Sequence, residues 1–553
     1  MHEYEHYEAI VVGAGPGGAA AAAVLTENDI ETIVLERGIE PGSKNVSGGL
    51  IYAENSAPYT IDGLFPEFRR EATERPITEY QLHNISGEKV ASFDLKGLHE
   101  YDTKWCDSVL RRKMDSWLSK EVQSKTQETG GGLINGIHVN GLLRDENGKI
   151  EGVTCDEIDP ITADVVIAAD GVTSELARSS GLMDWERPEE WFQGVKVVVD
   201  LEDVDNVFDL EPETGIAHLF SGDLFEGVRG GGFLYTNRET LSIGTVFHLD
   251  SIMEEKAESH ELLNKLLTHP LLGQWLNKDY CELEYSAKLV PDSKKAANPS
   301  PHLDRLLLVG DAAGQMQAQG PIIKGMNHAV TAGALASEAF VEMKKKGSVE
   351  KAGERYELKL RQTGLMSKLR PPMYSVVRAV GENRVATTMV DGILTSPVGR
   401  VAIRAIGKRM EKLYNIPLLS MAIPDTATPY VTLPTIIGQE VGEIIKIKNP
   451  VSPPELADRI SKLAYDTDIG KPHIELLDNS YAASGTAVTA CPVSAIGFGG
   501  GCYRMEEVEV NGEIELRISL DTQPCIECGT CAVTATTEWS NPRGNKGVEF
   551  KYG

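Results

Sequence analysis

The chain has 553 residues, a formal charge of −28, 41% hydrophobic residues, 54 glycines and 27 prolines. That length exceeds what one core supports, so two or three domains of ordinary globular α/β composition are expected. The negative charge excludes nucleic acid as a partner, because a phosphate backbone would be repelled; otherwise it reports solubility.

The start of the chain, Met1–Tyr7, is polar and does not read as a signal peptide. Tyr7–Val12 is a short buried-strand pattern that runs directly into Gly13-Ala14-Gly15-Pro16-Gly17-Gly18. An alanine-rich helix follows, then a second strand, Glu31–Leu35, that ends at Glu36 with Arg37 beside it. This is a βαβ unit with G-x-G-x-x-G on its first turn. Gly13, Gly15 and Gly18 let a pyrophosphate approach the backbone at the helix N-terminus, and Glu36 is placed for ribose hydroxyls.

Two later signals specify a flavin. Ala163–Ala169 is a strand that ends at Asp170-Gly171, and Arg305–Val309 is a strand that ends at Gly310-Asp311-Ala312-Ala313-Gly314. Asp311 is positioned to bond the ribitol chain of FAD. A helix starting near Gly325 and Met326 would aim its positive end at the flavin ring. No second G-x-G-x-x-G follows a strand, since Gly230–Gly232 and Gly499–Gly501 lack a βαβ frame. The expectation is one bound dinucleotide, no NAD(P) domain, and a protein partner as reductant.

Residues 190–300 read as a mixed sheet that covers the flavin and shapes the substrate side. The segment 350–415 reads as helical, and a proline-rich passage places a boundary near 435. Within the helical stretch, Val398–Leu413 puts Arg400, Arg404, Lys408 and Lys412 at i, i+4 spacing. That face is either a solvated surface on a buried helix or a basic amphipathic contact with anionic lipid. No apolar run reaches the ~20 residues of a spanning helix. A cytoplasmic protein, peripherally associated with the membrane inner face, is expected.

Of eight cysteines, five lie after residue 490. Cys106, Cys155 and Cys281 are scattered and read as buried thiols of a reducing compartment. Cys525, Cys528 and Cys531 form a C-x-x-C-x-x-C run, which can wrap one face of a 4Fe–4S cluster. A fourth ligand is needed. Cys491, followed by Pro492, is favoured over Cys502 because proline fixes the turn of a remote ligand. Zinc is the alternative for four cysteines, although structural zinc usually comes as two C-x-x-C pairs.

Nearly the whole chain resembles the electron-transfer flavoprotein–quinone oxidoreductases, and most closely a FixC flavoprotein (1–435) fused to a FixX ferredoxin-like domain (436–553). The matching stretches include Lys44–Leu50, Leu64–Pro66, Glu74–Thr78, Leu110–Leu118, Phe233–Asn237 and Gly310–Gly314 with Gly325-Met326. In the tail they are Lys471–Ile474, Cys525–Cys531, Trp539, Pro542–Gly544 and Tyr552-Gly553. The extra residues between Pro492 and Tyr503 depart from the family pattern and leave the remote ligand open.

The resemblance implies a glutathione-reductase-type FAD fold with an inserted mixed β-sheet domain and a C-terminal iron–sulfur domain. It implies FAD contacts at Ser47, Gly48, Gly49 and Arg111 besides the residues above. It also implies electrons arriving from a reduced two-subunit electron-transfer flavoprotein of FixA/FixB type. They would pass through cluster and FAD to a membrane quinone, in a stand-alone oxidoreductase or in the quinone-reducing subunit of a bifurcating complex. No acid–base catalytic pair is expected. A geranylgeranyl-reductase-like enzyme acting on polyprenyl lipids is the rival reading, and the FixX-like tail counts against it.

Overall fold

The computed structural model describes residues 4–43, 49–53, 57–87, 89–94, 106–184, 187–276, 280–292, 300–319, 322–363, 444–445, 473–493, 501–510, 512–522 and 524–541. Its first sheet is built on strands His6–Val12, Thr32–Glu36, Gly132–Asn135, Ile161–Ala168 and Leu306–Leu308, joined in parallel with His6–Val12 near the centre. Apart from the half-exposed edge strand Gly132–Asn135, these strands are short apolar runs largely buried on both faces, as parallel strands covered by helices must be. An antiparallel pair, Val139–Arg144 with Ile150–Cys155, extends it beside Ile161–Ala168.

One face of this sheet is closed by helices. The Pro16–Thr26 helix is wholly buried, which its glycines and alanines permit because they hold neighbouring backbones close. It packs against the Met326–Lys345 helix on one side and the Arg111–Glu128 helix on the other. Ala352–Gln362 covers the end of Met326–Lys345 and is the described part of the helical region expected over 350–415. The basic segment Val398–Leu413 lies outside the described residues.

The second sheet runs in the order Glu282–Pro291, Trp191–Asp200, Thr240–His248, Gly230–Thr236, Gly215–Gly222, Ile77–Ser86, Lys89–Asp94 and Ile444–Ile445. The expected mixed sheet over 190–300 is therefore joined by a hairpin from residues 77–94, through the parallel pair Gly215–Gly222 with Ile77–Ser86. Gly230–Gly232 begins a strand of this sheet. The Ser259–Thr268 helix lays Leu262, Leu263, Leu266 and Leu267 on Trp191–Asp200 and Thr240–His248, a stripe of helical period on a sheet face.

The tail consists of short helices, the two-stranded pair Ile474–Leu476 with Thr537–Trp539, and the hairpin Tyr503–Val510 with Glu513–Leu520. Among the scattered cysteines Cys106 is buried and Cys155 half-buried, but Cys281 is exposed. That corrects the expectation of a buried thiol. Cys281 stands just before the edge strand Glu282–Pro291, where its amide is held by Asp200 Oδ1 at 2.5 Å and its side chain lies outside the core. Among the described residues no helix is long and apolar enough to cross a membrane.

The contact between the two long helices gives a stability prediction. A methyl group on Gly333 would lie 2.1 Å from the Gly17 carbonyl oxygen, a rigid backbone atom. Gly333→Ala is expected to push the helices apart and cost about 1–3 kcal/mol, read as a lower urea midpoint with flavin titration as a second readout.

Candidate functional site: flavin cradle and cysteine pocket

The parallel strands end together, and their ends carry the residues singled out in the sequence. Gly13 follows His6–Val12 with φ +94°, and a side chain there would strike the Ala169 carbonyl at 2.5 Å. Gly15 is the N-cap of the Pro16–Thr26 helix, with extended backbone. A methyl group on Gly18 would lie 1.9 Å from the Gly13 carbonyl, so the loop closes only with glycine at both positions. Glu36, buried at the end of Thr32–Glu36, accepts hydrogen bonds from the amides of Ala14 (2.9 Å) and Gly38 (2.7 Å). Loop and acid are thus one unit.

Asp170 and Gly171 follow Ile161–Ala168. Ser174 Oγ donates to Asp170 at 2.6 Å, and burial pushes Asp170 up to about 6. Gly310 and Asp311 form the tight turn after Leu306–Leu308, with Gly310 at φ +66°. Burial pushes Asp311 upward, against the pull of the Arg111 and Lys288 charges. Gly325 caps the Met326–Lys345 helix, Met326 is its first residue, and a methyl group on Gly325 would stand 3.8 Å from Asp311 Oδ1. Arg111 opens its own helix and is gripped by Asp115 one turn on, through bonds of 3.0 and 2.7 Å. Gly49 packs on the Tyr235 ring. Ser47 and Gly48 lie outside the described residues.

The Asp311 turn has a brace that the sequence reading missed. Gln315 Oε1 accepts from the Gly310 amide at 2.8 Å and its Nε2 donates to Tyr356 Oη at 3.0 Å, while Tyr356 donates to the Leu308 carbonyl at 3.0 Å.

The second assembly is a pocket lined by Cys491, Cys502, Cys525, Cys528 and Cys531, closed by Ile474, Tyr503 and Trp539. All five thiols are buried and none of them is in a disulfide. Glu527 and Gly529 take positive φ, +57° and +83°, which curls the Cys525–Cys531 run around the pocket. Both candidates for the remote position are present, since Cys502 is hydrogen-bonded to Cys491 and to Cys525. Bonds from Cys502 and then His473 (Nε2 3.4 Å from Cys525 Sγ) hold Cys525 well below the usual thiol range, whereas burial pushes Cys528 and Cys531 up. The Tyr503 hydroxyl is buried in the pocket and bonded to Cys531. Among those residues no three His, Cys, Asp or Glu side chains stand as the ligand set of a single metal ion.

The two assemblies touch. The Leu289 amide donates to the Cys528 carbonyl at 2.9 Å and Lys288 Nζ to the Glu527 carbonyl at 3.1 Å. Arg37, next to Glu36, stands 3.6 Å from Glu527 Oε2. Gln193 Nε2 reaches the Ala490 carbonyl (2.8 Å) and Thr530 Oγ1 (2.7 Å), and Tyr285 donates to the Pro492 carbonyl at 2.5 Å. Asn541 is clasped by Thr173, through Oγ1–Oδ1 at 2.8 Å and Nδ2 to the carbonyl at 3.0 Å. Of the body residues in these contacts only Arg37 was singled out by sequence. The others carried no signal, because a lone Lys, Gln or Tyr in a strand has no motif.

A family model described as an FAD binding domain matches residues 6–357. The chain is 35% identical over 351 residues to the protein FixC of Escherichia coli, covering 62% of this chain and 79% of FixC. It is 32% identical over 367 residues to the probable electron transfer flavoprotein-quinone oxidoreductase YdiS of the same organism, covering 66% of this chain and 83% of YdiS. A solved geranylgeranyl bacteriochlorophyll reductase-like protein of Thermoplasma acidophilum superposes with a TM-score of 0.56 over 74% of this chain and 97% of that one. At 18% identity, that likeness concerns the fold.

The seam between body and tail carries a pH prediction. His138 lies between Asp156 (2.7 Å) and Glu175 (3.2 Å), and Glu175 Oε1 also accepts from the Asn541 amide at 2.5 Å. Burial opposes the charged imidazole, but the Glu175 and Asp156 bonds outweigh it and His138 is raised. A histidine raised above its unfolded value of about 6.5 contributes stability fully present below that value and lost as pH climbs through the folded one. The protection factor of the Asn541 amide is therefore expected to fall from pH 6 to pH 9. In His138→Gln it should be flat, and an equal fall there would remove His138 from the account.

Proposed function

The chain belongs to the family of FixC and the electron-transfer flavoprotein–quinone oxidoreductases, and from that premise we propose that it passes electrons from a reduced two-subunit electron-transfer flavoprotein, through an iron–sulfur cluster and FAD, to a quinone. One observation carries this reading. The cysteine run lies against the flavin cradle, with Cys528 bonded through its carbonyl to Leu289 and Glu527 paired with Arg37, the neighbour of the ribose acid.

When bound, FAD would supply storage for two electrons, and a 4Fe–4S cluster would supply one-electron exchange with the donor flavoprotein. The residues fit both groups. For FAD, Gly13, Gly15 and Gly18 leave the helix N-terminus open to a pyrophosphate. Glu36 is placed for the ribose, Asp311 for the ribitol chain, Gly49 and Arg111 flank the cradle, and the N-terminus at Gly325 and Met326 faces the Asp311 turn. For the cluster, five buried thiols share one pocket. Each thiolate of a cubane binds a different iron, so the four sulfurs need not converge on one point.

The chain's own work is to exclude water and fix distance. Ile474, Tyr503 and Trp539 close the pocket, and Thr173, Gln193 and Tyr285 hold the tail on the body. No side-chain acid–base pair is assigned. We read residues 1–435 as the flavoprotein part and 436–553 as the ferredoxin-like part, with Ile444–Ile445 reaching back to Val90 and Ala91.

The test is anaerobic reduction of the purified protein by a reduced electron-transfer flavoprotein, with quinol followed in the presence of a soluble quinone. Flavin bleaching and quinol formation are expected. A protein that carries both cofactors yet yields no quinol would sink the proposal.

Two sets of variants test the cofactor sites separately. Gly15→Val is expected to leave iron in place and abolish stoichiometric flavin. Cys525→Ser and Cys491→Ser should lose the cluster, about four irons per chain by ligand count, while Cys502→Ser keeps it. The reverse outcome at 491 and 502 transfers the fourth ligand to Cys502.

A further inference from the structure

Lys288 stands in the edge strand Glu282–Pro291 with its side chain buried. Its Nζ donates to one partner, the Glu527 carbonyl, and among the described residues no carboxylate lies within ion-pair distance of it. The neighbouring cation Arg37 takes the Glu527 carboxylate instead. Asp311, on the flavin side, feels the Lys288 charge but is not in contact with it. A buried ammonium satisfied only by a carbonyl is costly unless negative charge is supplied nearby. Here the groups able to supply it are the Glu527 carboxylate, already engaged by Arg37, then Cys528 and Cys525 once they are thiolates of a cluster, and on the other side the Asp311 turn. Burial, followed by the repulsion of Arg37, lowers Lys288 to about 8.

We propose that Lys288 is a positioning residue for electron transfer, holding the cysteine run through the Glu527 carbonyl and placing a fixed positive charge between the two redox groups. This rests on the reading of a cluster and FAD at these sites. An electron added to either group increases the negative charge beside Lys288, so the ammonium raises the reduction potential of both. The cysteine run and the Asp311 turn are far apart in the chain, and Lys288 is separated from Glu527 by 239 positions. It is a buried side chain of the second sheet whose charge acts on both.

The experiment measures the cluster's midpoint potential by EPR-monitored titration of the full chain, as wild type, Lys288→Gln and Lys288→Arg. Gln keeps a donor for the Glu527 carbonyl without the charge, and Arg keeps the charge. The one-electron equilibrium constant for cluster reduction is expected to fall about tenfold in the Gln variant, which is ~59 mV for a one-electron couple. The Arg variant should stay within about twofold of wild type. Loss of the cluster from Gln alone, with Arg at the wild-type potential, also upholds the charge. Equal potentials in all three proteins, each with full iron and flavin, overturn this proposal and leave the functional reading standing. Loss of the cluster from both variants overturns it as well, because the position would then be one of packing. A wild-type protein without iron fails the functional reading and this proposal with it.

Discussion

The functional half of this molecule depends on a sheet edge. Glu282–Pro291 is the outermost strand of the second sheet, and an outermost strand presents backbone amides that require partners. The cysteine run meets that need. Glu527 and Gly529 in left-handed backbone turn the carbonyls of the run outward, so that Cys528 accepts from the Leu289 amide and Glu527 from Lys288. Gly529 then sits where a side chain would meet Thr173 at 2.9 Å, directly beyond the Asp170-Gly171 turn of the flavin cradle. Register along one edge strand thereby fixes the position of the cysteine pocket relative to the dinucleotide loop.

The first sheet was largely legible in the sequence because its signals are local. An apolar run ending in a glycine turn reports both a parallel strand and the site at its carboxyl end, and His6–Val12, Ile161–Ala168 and Leu306–Leu308 all obey this. The Met326–Lys345 helix was legible for the same reason, from a glycine at its start. What escaped was non-local. Ile77–Ser86 reads as a strand but not as the parallel neighbour of Gly215–Gly222, since nothing in either segment encodes the other. Gln193 and Tyr285 are single polar residues whose partners lie 337 and 207 positions away, and His473, legible only as part of Lys471–Ile474, has its Cys525 partner 52 positions on. The brace of Gln315 and Tyr356 belongs to the same class, because it depends on the Ala352–Gln362 helix crossing behind the turn.

The body alone does not determine chemistry. A fold shared at TM-score 0.56 with a geranylgeranyl bacteriochlorophyll reductase-like protein does not set a function by itself, which depends on what is attached at the carboxyl ends of the strands. Here that attachment is a set of contacts from Ala490, Pro492, Glu527, Cys528, Thr530, Trp539 and Asn541 to the body. Most of them are bonds to backbone carbonyls or amides of the tail, so they constrain its path more than its side chains.

Charge completes the argument. The chain carries −28, yet the cations beside the two assemblies, Arg37, Arg111 and Lys288, are all largely buried. Surface carboxylates act through water and are screened within a Debye length of about 8 Å. Buried cations in a medium of low dielectric are screened far less, so at the site they prevail over the envelope. Arg111 is tied to Asp115 in a bidentate pair, which fixes its fork but offsets much of its field. Arg37 is offset by Glu527. Lys288 is hydrogen-bonded to a neutral carbonyl, so its field is the least compensated of the three and falls on the cysteine run and the Asp311 turn together. An acidic exterior around a locally positive centre suits the electron-transfer role proposed above, because groups that become more negative on reduction are stabilised by uncompensated positive charge.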